Sequence, residues 1–71
     1  MTLTSKFKKD IGILRAAANK EIFLDLKDPK LYKKIKRYYQ NEVDLTGEDP
    51  ERDYSIIIEC IRQDLQEVEA Q

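Results

Sequence analysis

The sequence predicts an all-α fold, a small antiparallel bundle of three helices. Self-association would help to complete the core of this bundle. Two observations carry this prediction. Apolar residues recur at intervals of three and four along three segments, which is the pattern of a helix that buries one face. The dipeptide Asp-Pro also occurs twice, and Asp as N-cap with Pro at the first helical position is a typical helix start. The predicted helices cover about residues 5–26, 29–42 and 50–68.

The third segment has the densest apolar pattern and is the predicted core helix. Its stripe spans an arc about 100° wide on a helical projection. The members of the stripe are Tyr54, Ile57, Ile58, Ile61, Leu65 and Val68. A strand over residues 54–58 is the alternative, because isoleucine favours strands, but the polar residues that follow keep helical spacing. Ile56 and Cys60 lie off this stripe, one turn apart, so either this chain or another chain must cover them.

The first segment is less regular. Its apolar residues are Phe7, Ile11, Leu14 and Ala18, at intervals of four and three. Three consecutive alanines, at residues 16–18, favour a helix. A break at Asn19 is the alternative, and residues 21–26 would then form a short strand or a separate turn. We favour one helix here. Phe23 lies off its main stripe and, like Ile56, needs cover from a further neighbour.

The second segment is amphipathic and basic. Leu31, Ile35 and Tyr38 are the predicted inner face. The opposite face consists of Lys30, Lys33, Lys34 and Arg37. Tyr32 and Tyr39 lie on one border of that basic face.

The net charge of −1 conceals a division of the chain into two halves of opposite charge. Residues 1–40 hold eleven Lys and Arg against four Asp and Glu, whereas residues 41–71 hold two against ten. Two explanations remain open. The basic and acidic helices could lie side by side and neutralise each other, or the basic face could be free for an acidic partner.

Length and composition predict one soluble domain, residues 1–71. The chain is 41% hydrophobic and 38% charged, which is typical of a folded protein. No apolar run approaches the roughly 18 residues of a membrane span, and the N-terminus lacks the apolar region of a signal peptide. A single cysteine favours a reducing compartment, so we predict a cytoplasmic protein. Because a chain of this length buries a thin core, a dimer or another homo-oligomer is expected.

The residue types argue against an enzyme. The chain has no histidine, so a histidine acid, base or triad is excluded. Cys60 lies in an acidic segment, which disfavours a reactive thiolate. There is no cluster of Cys and His for zinc, and the two glycines are isolated, so no phosphate-binding loop is present. We therefore predict no catalytic residue, no cofactor and no metal.

The predicted function is that of a small protein-binding module, either an adaptor, a regulator or an accessory subunit of a larger assembly. Its partner would be another protein with an acidic or apolar patch. The predicted contact residues are Lys30, Lys33, Lys34, Arg37, Tyr32, Tyr39, Phe23, Ile56 and Cys60. The alternative is a nucleic-acid-binding protein that uses the basic helix at residues 29–41, with cations on phosphates and tyrosines stacked on bases. The acidic isoelectric point, about 5.4, counts against that alternative.

Overall fold

The computed structural model describes residues 3–69, and the side chains of residues 3–66. No strand forms in this range, so the all-α prediction is confirmed, although the chain folds into more than three helical pieces. These are α1 (Leu3–Lys6), a 3-10 turn (Lys8–Asp10), α2 (Ile11–Ala18), α3 (Leu24–Lys27), α4 (Pro29–Tyr39) and α5 (Pro50–Glu69).

Helices α4 and α5 begin where the two Asp-Pro dipeptides predict. The Leu31 N–H donates to Asp28 Oδ1 at 3.1 Å, and the Arg52 N–H donates to Asp49 Oδ1 at 3.1 Å. Each aspartate thus satisfies a backbone N–H that the first turn of a helix leaves without a partner. Helix α4 ends at Tyr39, earlier than predicted, because the chain turns there. Both Glu42 and Val43 donate their N–H groups to the Tyr39 carbonyl.

The prediction of one helix over residues 5–26 is wrong. Helix α2 ends at Ala18, and Lys20 adopts the left-handed conformation with φ of 63°. The Lys20 N–H donates to the Ala17 carbonyl and the Glu21 N–H donates to the Ala16 carbonyl, at 3.1 and 2.9 Å. This pair of bonds is a Schellman motif, which terminates a helix. Of the alternatives for residues 21–26, the separate turn is the one that forms.

Phe23 begins the next helical turn in an extended conformation. Its φ and ψ are −99° and 109°, and α3 follows directly. The N–H of Leu24 donates to the Tyr54 hydroxyl oxygen at 3.0 Å, and the Leu24 side chain is fully buried. Because the hydrogen bond to Tyr54 of α5 holds Leu24 in the core, the neighbouring Phe23 lies on the surface.

Helix α5 is the centre of the core, in contact with α1, α2 and α4. Of the predicted stripe, Ile57, Ile58, Ile61 and Leu65 are buried and Tyr54 is half-buried, while the Val68 side chain lies outside the described residues. The other buried hydrophobic residues are Leu3, Phe7, Leu14, Ala17, Ala18, Leu24, Leu31, Ile35 and Tyr39.

The loop between α4 and α5 is hydrogen-bonded to the first turn of α5. Asp53 is only 1% exposed, and its Oδ2 accepts from the Gly47 N–H at 2.9 Å. Gly47 has φ of 76°, a conformation that favours glycine. Arg52 Nη1 lies 3.3 Å from both the Asp44 carbonyl oxygen and Asp53 Oδ1. The loop therefore covers the same end of α5 that carries the helix cap.

Candidate binding surfaces

The basic face of α4 is open. We use this name for Lys30, Lys33, Lys34 and Arg37, whose side chains are all exposed. They point outward because Leu31 and Ile35 occupy the opposite side of the helix, in the core. Among the described side chains, no ion pair involves the basic face. The ion pairs that do form in that range, Arg52–Asp53 and Arg62–Glu59, both lie within α5.

Tyr32 borders the basic face and leans on its own chain. It is half-buried, and its ring centroid lies 5.7 Å from that of Tyr54. The ammonium of Lys36 lies 5.6 Å from the Tyr32 ring centroid, in a cation–π contact. Burial, followed by the nearby carboxylates of Asp25 and Asp53, raises the pKa of Tyr32 to about 12. One face of the ring is therefore already occupied.

Tyr39 belongs to the core, contrary to the predicted border position. It is 1% exposed, and its hydroxyl donates to Asp64 Oδ2 at 2.6 Å. Burial and this hydrogen bond raise the pKa of Tyr39 well above its usual range. Tyr38, predicted to point inward, is half-buried instead and packs edge-on against Phe7, with ring centroids 5.7 Å apart. The inner face of α4 thus follows residues 31, 35 and 39, four apart.

Among the described side chains, the large hydrophobic ones that are exposed are Phe23 and Leu26, at 67% and 77%. Phe23 lines two hollows on this surface. One has a volume of about 420 Å³, with Ala17, Ile22 and Ile58 among its apolar lining and Lys20 and Glu59 among its charged lining. The other, of about 360 Å³, is lined by Phe23, Asp25, Pro50, Glu51, Tyr54 and Ser55. We call Phe23 and these two hollows the Phe23 surface.

Ile56 and Cys60 are not part of the Phe23 surface. Cys60 is half-buried and packs against the core, so its own chain covers it in part. Burial raises the pKa of the Cys60 thiol, and the carboxylates of Asp64, Glu42 and Glu59 add to this effect. Ile56 is half-buried, and it lies about 100° round the helix from Ser55, which lines both hollows. Phe23 and Ile56 therefore face different directions.

The predicted contact residues thus fall into separate regions. The four cations lie together, Phe23 lies beyond Tyr32 and Tyr54, and Tyr39 is enclosed. The hollows were not predicted from the sequence, because they form between α5 and residues 17–25, where a continuous helix was expected. The signal that the sequence does hold is Phe23 itself, an apolar residue off the helical stripe.

Among the described side chains, no three from the set of His, Cys, Asp and Glu are grouped closely enough to hold a metal ion. In the same range, every buried polar side-chain atom has a hydrogen-bond partner. Helix α5 has the length to cross a membrane but is too polar, and the other described helices are too short. A comparison of the chain with protein-family models, with curated proteins and with solved structures finds no significant match.

Proposed function

We propose that this chain is a small non-catalytic protein-binding module, an adaptor, regulator or accessory subunit, that contacts an acidic surface of a partner protein through its basic face. One observation supports this most directly. The four cations of the basic face are exposed and, among the described side chains, none is paired with a carboxylate. The Phe23 surface is the second contact region of the module.

A cluster of unpaired cations on one rigid helix is well arranged for an acidic partner. Such a cluster raises the rate of encounter with a surface of opposite charge, and it selects against basic partners. Arg37 adds a planar group that can bind a carboxylate with two parallel hydrogen bonds. Because α4 is capped by Asp28 and packed through Leu31 and Ile35, these cations are presented on a well-ordered element.

Nucleic acid is the second candidate, because the same four exposed cations could contact phosphates. The tyrosines argue against it. Sequence-tolerant binding of single strands relies on free aromatic faces, whereas Tyr39 is buried and Tyr32 is half-buried with one face of its ring in contact with its own chain. The acidic residues of the second half of the chain would also repel phosphates.

We place the module in the cytoplasm. Cys60 is a free thiol, half-buried against the core. A structural thiol of this kind favours a reducing compartment.

The test is a pull-down with the tagged protein, at low and moderate salt, with and without nuclease. The test variant is Lys33→Gln/Arg37→Gln. Its matched control is Lys8→Gln/Lys9→Gln, which removes the same charge from exposed lysines of the 3-10 turn. We expect a defined partner that survives nuclease, and whose affinity the test variant reduces by about tenfold, roughly 1.4 kcal/mol.

Two results would count against this function. Equal loss of the partner with both variants would mean that only the net charge matters. Binding that falls steeply with salt and disappears with nuclease would select the nucleic-acid alternative.

A further inference from the structure

We propose that the Phe23 surface binds a second copy of this chain, in a two-fold symmetric dimer in which Phe23 of each copy enters a hollow beside Phe23 of the other. The proposal rests on the proposed function only in treating the Phe23 surface as a contact region. It names the partner of that region.

The shape of the Phe23 surface fits a symmetric contact. In a two-fold dimer the same patch of both copies meets, so a patch with a projection also needs a matching recess. Phe23 is 67% exposed and stands directly beside hollows of about 420 and 360 Å³. The floor of the larger hollow, with Ala17, Ile22 and Ile58, is apolar, and the Tyr54 ring lies 6.4 Å from that of Phe23. An aromatic ring from a second copy would therefore meet apolar and aromatic neighbours.

Glu51 and Arg62 fit the same symmetry; among the described side chains they are two of the three charged residues on the Ser55 side of α5, and the third is Glu59. Glu51 lines the smaller hollow, near the start of α5, and Arg62, three residues after the Glu59 of the larger hollow, lines a further groove. Both are exposed and lie within about 40° of Ser55 round the helix, so they share one side of α5. They are separated by roughly 16 Å along the helix axis. If two copies of α5 cross antiparallel midway between them, each Glu51 faces Arg62 of the other copy.

Arg62 is free enough to make that contact. Its ion pair with Glu59 within the chain is long, at 3.9 Å, and both side chains are more than half exposed. Exposed pairs of this kind contribute little stability. Arg62 can therefore leave Glu59 and pair with Glu51 of the second copy at little cost in stability.

The basic face of a second copy would fill the hollows less well than Phe23 of a second copy. Lys30, Lys33, Lys34 and Arg37 would match the acidic Asp25 and Glu51, but they would leave the apolar floor unfilled. Such a head-to-tail contact would also propagate into rings or filaments. The symmetric dimer fills the floor with Phe23 and leaves both basic faces free for the acidic partner.

The test is sedimentation equilibrium of the purified chain alone, from about 1 µM to about 1 mM, a range that spans modest affinities. We expect a monomer–dimer equilibrium. Phe23→Ser should abolish it, whereas Ile56→Ser, on a different side of α5, should leave it unchanged. Glu51→Arg and Arg62→Glu should each weaken the dimer about tenfold, because each places like charges together. The double variant Glu51→Arg/Arg62→Glu should restore it.

A monomer at every concentration would overturn the proposal. So would a double variant as weak as the single ones, or equal losses from Phe23→Ser and Ile56→Ser. Circular dichroism at the lowest concentration checks that each variant is folded. If Glu51→Arg disturbs the first turn of α5, the neutral variants Glu51→Gln and Arg62→Gln should still weaken the dimer. Because only the purified chain is present, a negative result leaves the basic face and its acidic partner untouched.

Discussion

A short hydrogen bond joins α4 to α5 at Tyr39. The hydroxyl donates to Asp64 Oδ2 at 2.6 Å, and the ring is 1% exposed. A bond to a charged acceptor in a buried position contributes about 2 kcal/mol to stability. We therefore expect Tyr39→Phe to lower the free energy of unfolding by about that amount at pH 7, as measured by urea denaturation.

The same variant should respond less to alkaline pH. Burial and the hydrogen bond raise the pKa of Tyr39 in the folded state, so the folded state holds its proton more tightly than the unfolded state, where tyrosine ionises near pH 10. The stabilisation is complete below pH 10 and falls as pH rises above it, by about 1.4 kcal/mol at pH 11. The stability difference between wild type and Tyr39→Phe should therefore narrow by about that amount from pH 8 to pH 11. Parallel pH profiles would contradict this.

The aspartates show which residues are predictable from sequence. Asp28 and Asp49 are caps that act within three residues, and the Asp-Pro dipeptide identifies them. Asp53 looks like another solvated acid of α5, yet it is buried because the loop returns and Gly47 donates to it. Likewise, the hydroxyl of the buried Tyr39 has its acceptor in Asp64, 25 residues further along the chain. Neither of these two contacts, Gly47–Asp53 and Tyr39–Asp64, has a local signal in the sequence.

At the scale of an element, the end of α2 explains the largest error of the predicted fold. A Schellman motif usually has glycine at the left-handed position, and this one has Lys20. Without glycine, and with alanines at residues 16–18, the segment resembles a continuous helix. Asn19 was the one indication of a break. The turn then releases residues 21–27 to form the separate piece that carries Phe23.

We expect Lys20→Gly to stabilise the chain. A left-handed conformation costs a residue with a Cβ about 1–2 kcal/mol, and glycine recovers this cost minus the extra freedom it gains in the unfolded state. The net gain should be about 0.5–1 kcal/mol in urea denaturation at low protein concentration. Lys20→Ala is the matched control, because it removes the same side chain but keeps the Cβ. If both variants are equally stabilising, the side chain and not the backbone conformation is responsible.

At the scale of the whole molecule, α5 has three kinds of side. Its stripe faces the core, its Cys60 side is covered in part by this chain, and its Ser55 side borders the hollows beside Phe23. The sequence shows that α5 has apolar residues beyond its core stripe. It does not show which sides of α5 are covered by this chain and which are open. That division depends on where α2 stops and where the loop before α5 returns.

The two oppositely charged halves of the chain should contribute little to its stability. The basic face points away from α5, and no ion pair joins the two among the described side chains. Charges separated across a helix and exposed to water are largely screened at a Debye length of about 10 Å. We expect the free energy of unfolding, measured with urea, to change by less than about 0.5 kcal/mol between roughly 50 and 500 mM NaCl, a range over which the Debye length falls severalfold.

A marked loss of stability with salt would mean instead that the acidic half neutralises the basic face within the chain. The variant Lys33→Gln/Arg37→Gln separates these explanations further. If the basic face serves a partner, this variant should keep the stability of the wild type and lose affinity for the acidic protein. If the face serves the fold, the variant should lose stability, and its response to salt should shrink. The first explanation lowers the affinity at unchanged stability and the second lowers the stability, so both measurements on one preparation of the variant decide whether the basic face serves binding or folding.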